Sequence, residues 1–128
     1  MTSETLHEDP STLKPETVDR HRAIASLMEE LEAIDWYDQR VNATTDEKLR
    51  AILAHNRDEE KEHAAMVLEW LRRNDPKFHD HLRTYLFTEA DVTTIEDEVE
   101  HGGASGGDGG GNGPANGSLG IGSLKGER

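Results

Sequence analysis

The chain contains no cysteine, only two each of tryptophan, tyrosine and phenylalanine, and 14 basic against 27 acidic residues. Without cysteine, disulfides, thiolate metal sites and thiol catalysis are excluded. The formal net charge of −13 disfavours nucleic acid and anionic membrane as partners and attracts cations. No apolar run approaches the roughly 20 residues of a membrane span, and residues 1–10 lack the apolar stretch of a signal peptide. We therefore expect a soluble, cytoplasmic protein.

The spacing of apolar residues predicts two long helices. The first spans Leu13 to Val41, and Pro15 fits its first turn, where a missing N–H does no harm. Thr44 followed by Glu47 is typical of a capping box, which opens a second helix. This helix is expected to run to about Asn74, because the following Asp-Pro pair ends it.

The elements predicted after the second helix are shorter. Phe78 to Phe87 is expected to form a third helix or turn, and Asp91 to Glu100 a short acidic helix. Glycine then dominates residues 102–117, which cannot bury a core, and apolar residues return after Gly117. The predicted organisation is a flexible N-terminus (1–12), a helical domain (13–101), a Gly-rich linker (102–117) and a C-terminal peptide (118–128).

The predicted fold class is all-α, an antiparallel two-helix hairpin with a short C-terminal helix. Two helices cannot enclose a core, and fewer than about 80 residues in this shape are only marginally stable alone. The chain is therefore expected to assemble with copies of itself, and dimerisation would complete a four-helix arrangement.

Ionisable residues interrupt the apolar stripe of each long helix. The stripes follow steps of three or four residues, and Glu30 lies in the first stripe while Glu60 and His63 lie in the second. The first stripe is Ile24, Leu27, Glu30, Ile34 and Tyr37, and the second is Leu49, Ile52, Asn56, Glu60, His63, Val67 and Leu71. Buried charge is costly unless it has a partner, and a shared metal ion would serve as one.

Glu60 and His63 form a Glu-x-x-His pair, which aims a carboxylate and an imidazole at one point. Four-helix di-iron sites use two such pairs and a single Glu from each of two other helices. Since this chain supplies one pair and the single Glu30, a two-fold axis between two hairpins would complete the set. The spacing alone is a weak signal, because Glu4 and His7 share it, as do Glu98 and His101. The alternative is a solvated helix face with an incidental histidine, and no role is assigned to His21, His55, His79 or His81.

Two longer runs resemble a known family. Residues 28–40 (MEELEAIDWYDQR) are similar to the first helix of encapsulated ferritins, and residues 51–66 (AILAHNRDEEKEHAAM), continuing through EWLRR, are similar to their second helix. The resemblance covers roughly residues 13–88. The segment 118–125 (SLGIGSLK) looks like the targeting peptide by which cargo docks inside encapsulin shells.

The resemblance implies that the four-helix arrangement completed by dimerisation is ferritin-like. It also implies a ferroxidase that forms a decameric ring of dimers, with a di-iron centre shared between two subunits. It implies that Glu30, Glu60 and His63 ligate the iron, that Glu29 and Glu32 belong to an outer metal-attracting site, and that Trp36 and Tyr37 lie near the centre. From the residues alone, the two outer acids are equally well explained as solvent-facing groups, and the aromatics as interface core.

The same resemblance implies that the protein is located inside an encapsulin nanocompartment, where the shell stores the mineral. The residues expected to bind the shell protein are Leu119, Gly120, Ile121, Gly122, Ser123 and Leu124. Two alternatives remain open at this point. One is a non-catalytic assembly protein whose metal only staples the dimer, and the other is a peroxide-consuming dimetal enzyme such as a manganese catalase.

Overall fold

The computed structural model of the chain describes residues 6–106, and of residues 102–106 it describes the backbone only. Within this part, a 3-10 helix at Pro10–Thr12 precedes four α-helices. These are α1 (Pro15–Ala43), α2 (Glu47–Arg73), α3 (Pro76–Tyr85) and α4 (Val92–Gly106). All elements in the described residues are helical, so the predicted all-α fold class is confirmed. Every helix in the described residues is too short or too polar to span a bilayer.

The link between α1 and α2 is three residues long and fixed by Arg50. The C-terminal turn of α1 leaves backbone carbonyls without intrahelical partners. Arg50 Nε donates to the carbonyl of Val41 at 3.0 Å, and its guanidinium also contacts the Thr44 carbonyl and the Glu47 carboxylate. One side chain of α2 therefore closes the end of α1 and holds the two helices as an antiparallel hairpin.

The predicted capping box at Thr44 is wrong, because Asp46 caps α2. Its Oδ1 accepts hydrogen bonds from the backbone N–H groups of Lys48 at 3.0 Å and Leu49 at 3.2 Å. Thr44 Oγ1 instead accepts from the N–H of Asp46 at 3.2 Å and so shapes the loop. Asp46 stands directly before the first helical residue, the position from which a short acidic side chain reaches the exposed N–H groups.

The hairpin of α1 and α2 has almost no core of its own. Among the described residues only Ala25, Ala64 and Leu71 are buried. Leu49 and Ile52, predicted on the buried stripe of α2, are 43% and 58% exposed in the single chain. The other exposed large apolar residues of the two helices are Ile24, Met28, Leu31, Trp36, Met66 and Trp70. So much uncovered apolar surface is consistent with the expectation that the chain assembles.

The described chain divides into two compact units, and the boundary lies between His79 and Asp80. In the first unit, Arg72 Nη1 lies 2.7 Å from His79 Nδ1. In the second, burial and the nearby carboxylates Glu96 and Glu100 raise the pKa of Tyr85. The α4 backbone continues to Gly106, five residues into the segment predicted as a linker.

Candidate metal centre

Glu30, Glu60 and His63 meet at the middle of the hairpin. Glu30 projects from α1, and the other two residues lie one turn apart on α2. His63 Nδ1 is 3.4 Å from Glu60 Oε1 and 3.7 Å from Glu30 Oε1. One ligand atom from each residue lies within 4.8 Å of the others. The structure therefore brings together, within one chain, the three residues that the sequence singled out as a half-site; we call them the Glu30–Glu60–His63 cluster.

The carboxylates of this cluster face each other. A hydrogen bond with Glu60 raises the pKa of Glu30 above its ordinary value, and burial and the negative charge of Glu60 raise it further, while His63 opposes the shift. Two carboxylates in one site cannot both ionise without repulsion. A divalent cation bound between them would remove that repulsion, and the donor set of two carboxylates and an imidazole suits iron, manganese or zinc. The residues present therefore fit a metal ion.

The cluster is only partly shielded in the single chain. The side chains of Glu30 and Glu60 are each 25% exposed and that of His63 is 43% exposed. Three protein ligands leave coordination positions open on any metal held there. The exposed side of His63 is therefore accessible to water, an oxidant or a second copy of the chain.

The nearest guanidinium on α2 is already paired. Arg57, one turn before Glu60, donates to Asp38 of α1 at 2.9 Å and to Asp58 at 3.1 Å. These carboxylates raise the pKa of Arg57, and its guanidinium is engaged by Asp38 and Asp58. A surface cleft of about 510 Å³ lies toward the loop end of the hairpin, and it does not include the cluster. Its lining residues are Asp38, Gln39, Val41, Asn42, Arg50 and Arg57.

The other predicted site residues lie on α1 outside the three-residue group. Glu29 and Glu32 are exposed, and the charge of Glu29 contributes the smallest of the effects that raise the pKa of Glu30. Trp36 is 49% exposed. Tyr37 is half-buried, and the guanidinium carbon of Arg40 lies 5.4 Å from its ring centre. The outer-site and aromatic roles of these residues stay predictions. The shell-binding residues from Leu119 to Leu124 lie outside the described residues.

Sequence reasoning missed Glu59. Its Oε1 lies 4.0 Å from His63 Nε2, and its Oε2 lies 3.8 Å from His55 Nε2. The signal was present as a His-x-x-x-Glu-x-x-x-His row, whose members share one helix face. The spacing of apolar residues does not point to Glu59, because Glu59 lies beside the apolar stripe of α2 and not on it.

The chain is similar in sequence to several known proteins. An encapsulated ferritin-like protein of Rhodospirillum rubrum is 66% identical over 129 residues, which cover 99% of this chain and 92% of the relative. A ferritin-like protein of Thermotoga maritima is 57% identical over 96 residues, covering 75% of this chain and 84% of the relative. An encapsulin nanocompartment cargo protein of Myxococcus xanthus is 44% identical over 54 residues, covering 42% of each chain.

The fold is similar to that of a solved structure as well. The crystal structure of a protein from Nitrosomonas europaea superposes with a TM-score of 0.66 at 62% identity, covering 68% of this chain and 96% of that one. The profile of the EncFtn-like family matches residues 5–89, a range that contains α1, α2 and the whole cluster. The matched range and the near full-length relative together show that the chain belongs to the EncFtn-like family of encapsulated ferritin-like proteins.

Proposed function

We propose that this protein is a ferroxidase subunit that takes Fe²⁺ as substrate and oxidises it to Fe³⁺ at a centre shared by two copies of the chain. The observation that carries the proposal is the Glu30–Glu60–His63 cluster, whose ligand atoms lie within 4.8 Å of one another. It presents two carboxylates and an imidazole at the middle of a family-matched hairpin.

The number of metal ligands in one chain is the reason for proposing a centre shared by two chains. A di-iron site in a four-helix arrangement uses two Glu-x-x-His pairs and two single Glu residues, and one chain carries half of that set. A two-fold interface places a patch against itself and supplies the second half. Four carboxylates would then carry a formal charge of about −4, which two Fe²⁺ ions neutralise. Exposed apolar residues on both helices, including Leu31, Met66 and Trp70, support such an interface.

The residues of the cluster have distinct tasks in this reaction. Glu30 and Glu60 bind the cation with carboxylate oxygens, which prefer Fe³⁺ over Fe²⁺ because hard ligands suit the more highly charged ion. His63 Nδ1, which faces the two carboxylates, contributes a neutral lone pair. Iron bound here supplies the redox chemistry, and two neighbouring Fe²⁺ ions release two electrons to dioxygen or peroxide.

Further predicted roles complete the proposal. Glu29 and Glu32 attract cations toward the cluster, and Trp36 and Tyr37 line the approach at the subunit contact. The dimers assemble into a decameric ring. Because one relative is described as an encapsulin nanocompartment cargo protein, we infer that this chain is also carried inside an encapsulin shell. Residues 118–128 dock on the shell through the aliphatic side chains of Leu119, Ile121 and Leu124.

The decisive experiment follows Fe²⁺ oxidation by absorbance in the assembled protein. Glu60→Gln should lower the rate to that of buffer alone, because it removes a ligand charge from each half-site. Glu62→Gln is the matched control, since Glu62 is an exposed acid of the same helix, and it should keep the wild-type rate. Wild-type protein that assembles with Fe²⁺ but never oxidises it would be a non-catalytic assembly protein, and the proposal would fail.

The docking role has its own test. Removing residues 118–128 should leave Fe²⁺ oxidation unchanged and abolish co-purification with a co-expressed shell protein. A variant in which only Leu119, Ile121 and Leu124 become serine preserves chain length and should behave like the truncation. Co-purification of both variants at the wild-type level would refute the docking role.

A further inference from the structure

The two ring nitrogens of His63 face different carboxylates. Nδ1 points into the cluster, 3.4 Å from Glu60 and 3.7 Å from Glu30. Nε2 points outward, where Glu59 Oε1 lies at 4.0 Å. The other oxygen of Glu59 lies 3.8 Å from His55 Nε2. His63 therefore stands between an inner pair of acids and one outer acid, and the outer acid is itself shared with a second imidazole.

Which nitrogen carries the proton decides whether His63 can bind a cation. A neutral imidazole has one N–H and one lone pair, and the two exchange places between tautomers. With the proton on Nδ1, His63 donates toward Glu60, and no lone pair faces the cluster. With the proton on Nε2, the Nδ1 lone pair is available. Since Glu30 and Glu60 together favour the first tautomer, some other group must favour the second.

We propose that Glu59 is a positioning residue that holds the proton of His63 on Nε2 and so presents Nδ1 to the cation. Histidine ligands in metal sites commonly donate their second N–H to a carboxylate, which fixes the tautomer and the ring orientation. Glu59 is on the same helix, one turn before His63, and its side chain is 47% exposed. The 4.0 Å separation is longer than a hydrogen bond, so a rotation of the Glu59 side chain toward Nε2 is part of the proposal.

His55 has a supporting place in this arrangement. It lies four residues before Glu59, as Glu59 lies four residues before His63, so the three side chains form one row along α2. Contact of His55 with Oε2 leaves Oε1 directed at His63. The inference rests on the proposed function, because it assumes that a cation binds at the cluster, and its test must separate the two.

The first measurement is nitrogen NMR of histidine-labelled, metal-free protein, with the His63 signals identified by their loss in His63→Gln. The wild type should have the proton mainly on Nε2. Glu59→Ala should shift the population toward Nδ1–H, whereas Glu59→Gln should stay near wild type because its amide oxygen still accepts. His55→Ala should give a smaller shift in the same direction, and Glu62→Ala should give none. Unchanged His63 signals in Glu59→Ala would overturn the proposal.

The second measurement is the affinity for Co²⁺, followed by its visible absorbance. Glu59→Ala should bind about 10-fold to 100-fold more weakly, as expected when the outer partner of a histidine ligand is lost. Glu59→Gln should be intermediate and Glu62→Ala unchanged. If Glu60→Gln abolishes Co²⁺ binding while Glu59→Ala leaves it intact, the positioning role fails and the metal centre stands. If Glu60→Gln also leaves binding intact, the metal centre itself fails. Loss of a separate, weaker Co²⁺ site with unchanged His63 signals would assign Glu59 to that site and overturn the positioning role.

Discussion

Two glutamates of α2, Glu60 and Glu69, lie nine residues apart in opposite electrostatic surroundings. Glu69 accepts hydrogen bonds from Arg72 Nη2 at 2.6 Å, Arg72 Nε at 2.7 Å and Arg73 Nε at 2.7 Å. These guanidinium groups lower its pKa to about 2. Glu60 instead shares a hydrogen bond with a second carboxyl group, that of Glu30, whose pKa is raised.

The difference arises from the residues one turn further along the same helix. The positions three and four after Glu69 are both arginine, so the chain neutralises this carboxylate by itself. The corresponding positions after Glu60 are His63 and Ala64, which bring no permanent positive charge. The cluster acids therefore lack the arginine cations that the same helix places beside Glu69, and a bound metal would take that place.

The largest expected effect concerns assembly. Adding Fe²⁺ without oxygen should at least double the mass measured by light scattering for the wild type, because the ions remove carboxylate repulsion across the interface. Glu69→Gln should respond like the wild type, and Glu60→Gln should not respond. An equal increase in mass for both variants on adding Fe²⁺ would contradict the proposed difference between Glu60 and Glu69.

An intermediate effect concerns stability without metal. In a chelator and at fixed protein concentration, Glu30→Gln should raise the Tm, because its amide donates to Glu60 where a carboxylate would repel it. Glu69→Gln should lower the Tm, since it loses charge-assisted hydrogen bonds to Arg72 and Arg73. We expect shifts of a few degrees, corresponding to about 1 kcal/mol or less for such exposed groups. Thermal unfolding by circular dichroism measures both Tm shifts. Shifts of the same sign for Glu30→Gln and Glu69→Gln would contradict the proposed electrostatic difference between the two sites.

The smallest effect is a pH dependence at Glu69. The folded-state pKa of about 2 is below the ordinary value of 4.5, so the carboxylate stabilises the fold above about pH 4.5. This stability is lost as the pH falls from there toward 2. The difference in unfolding free energy between the wild type and Glu69→Gln should therefore shrink between pH 6 and pH 3, as measured by urea unfolding. A difference that is constant over this range would show that Glu69 is not held in its charged form by the arginines.

The sequence predicted the features that depend on helical periodicity. It did not predict those that depend on a single side chain, such as a helix cap, or on a covering surface from outside the chain. Helical spacing was enough to locate α1 and α2 and to place Glu30 opposite the Glu60 and His63 pair. The cap of α2 was misplaced because Thr44 and Asp46 are both good capping residues, and only the loop geometry chooses Asp46. Ile52 is exposed because the stripe it belongs to has no covering surface within one chain. The length of α4 was underestimated because its glycine-containing end was expected to stop the helix.

The three-residue link between α1 and α2 restricts where residues can be inserted in the hairpin. Glu30 lies thirteen residues before Ala43, and Glu60 lies thirteen residues after Glu47, so both stand about 20 Å from the turn. A residue inserted between either acid and the turn would displace that acid by about 1.5 Å and rotate it by about 100° relative to the other. These two segments must therefore keep equal length, and insertions that preserve the Glu30–Glu60–His63 cluster are confined to residues beyond them.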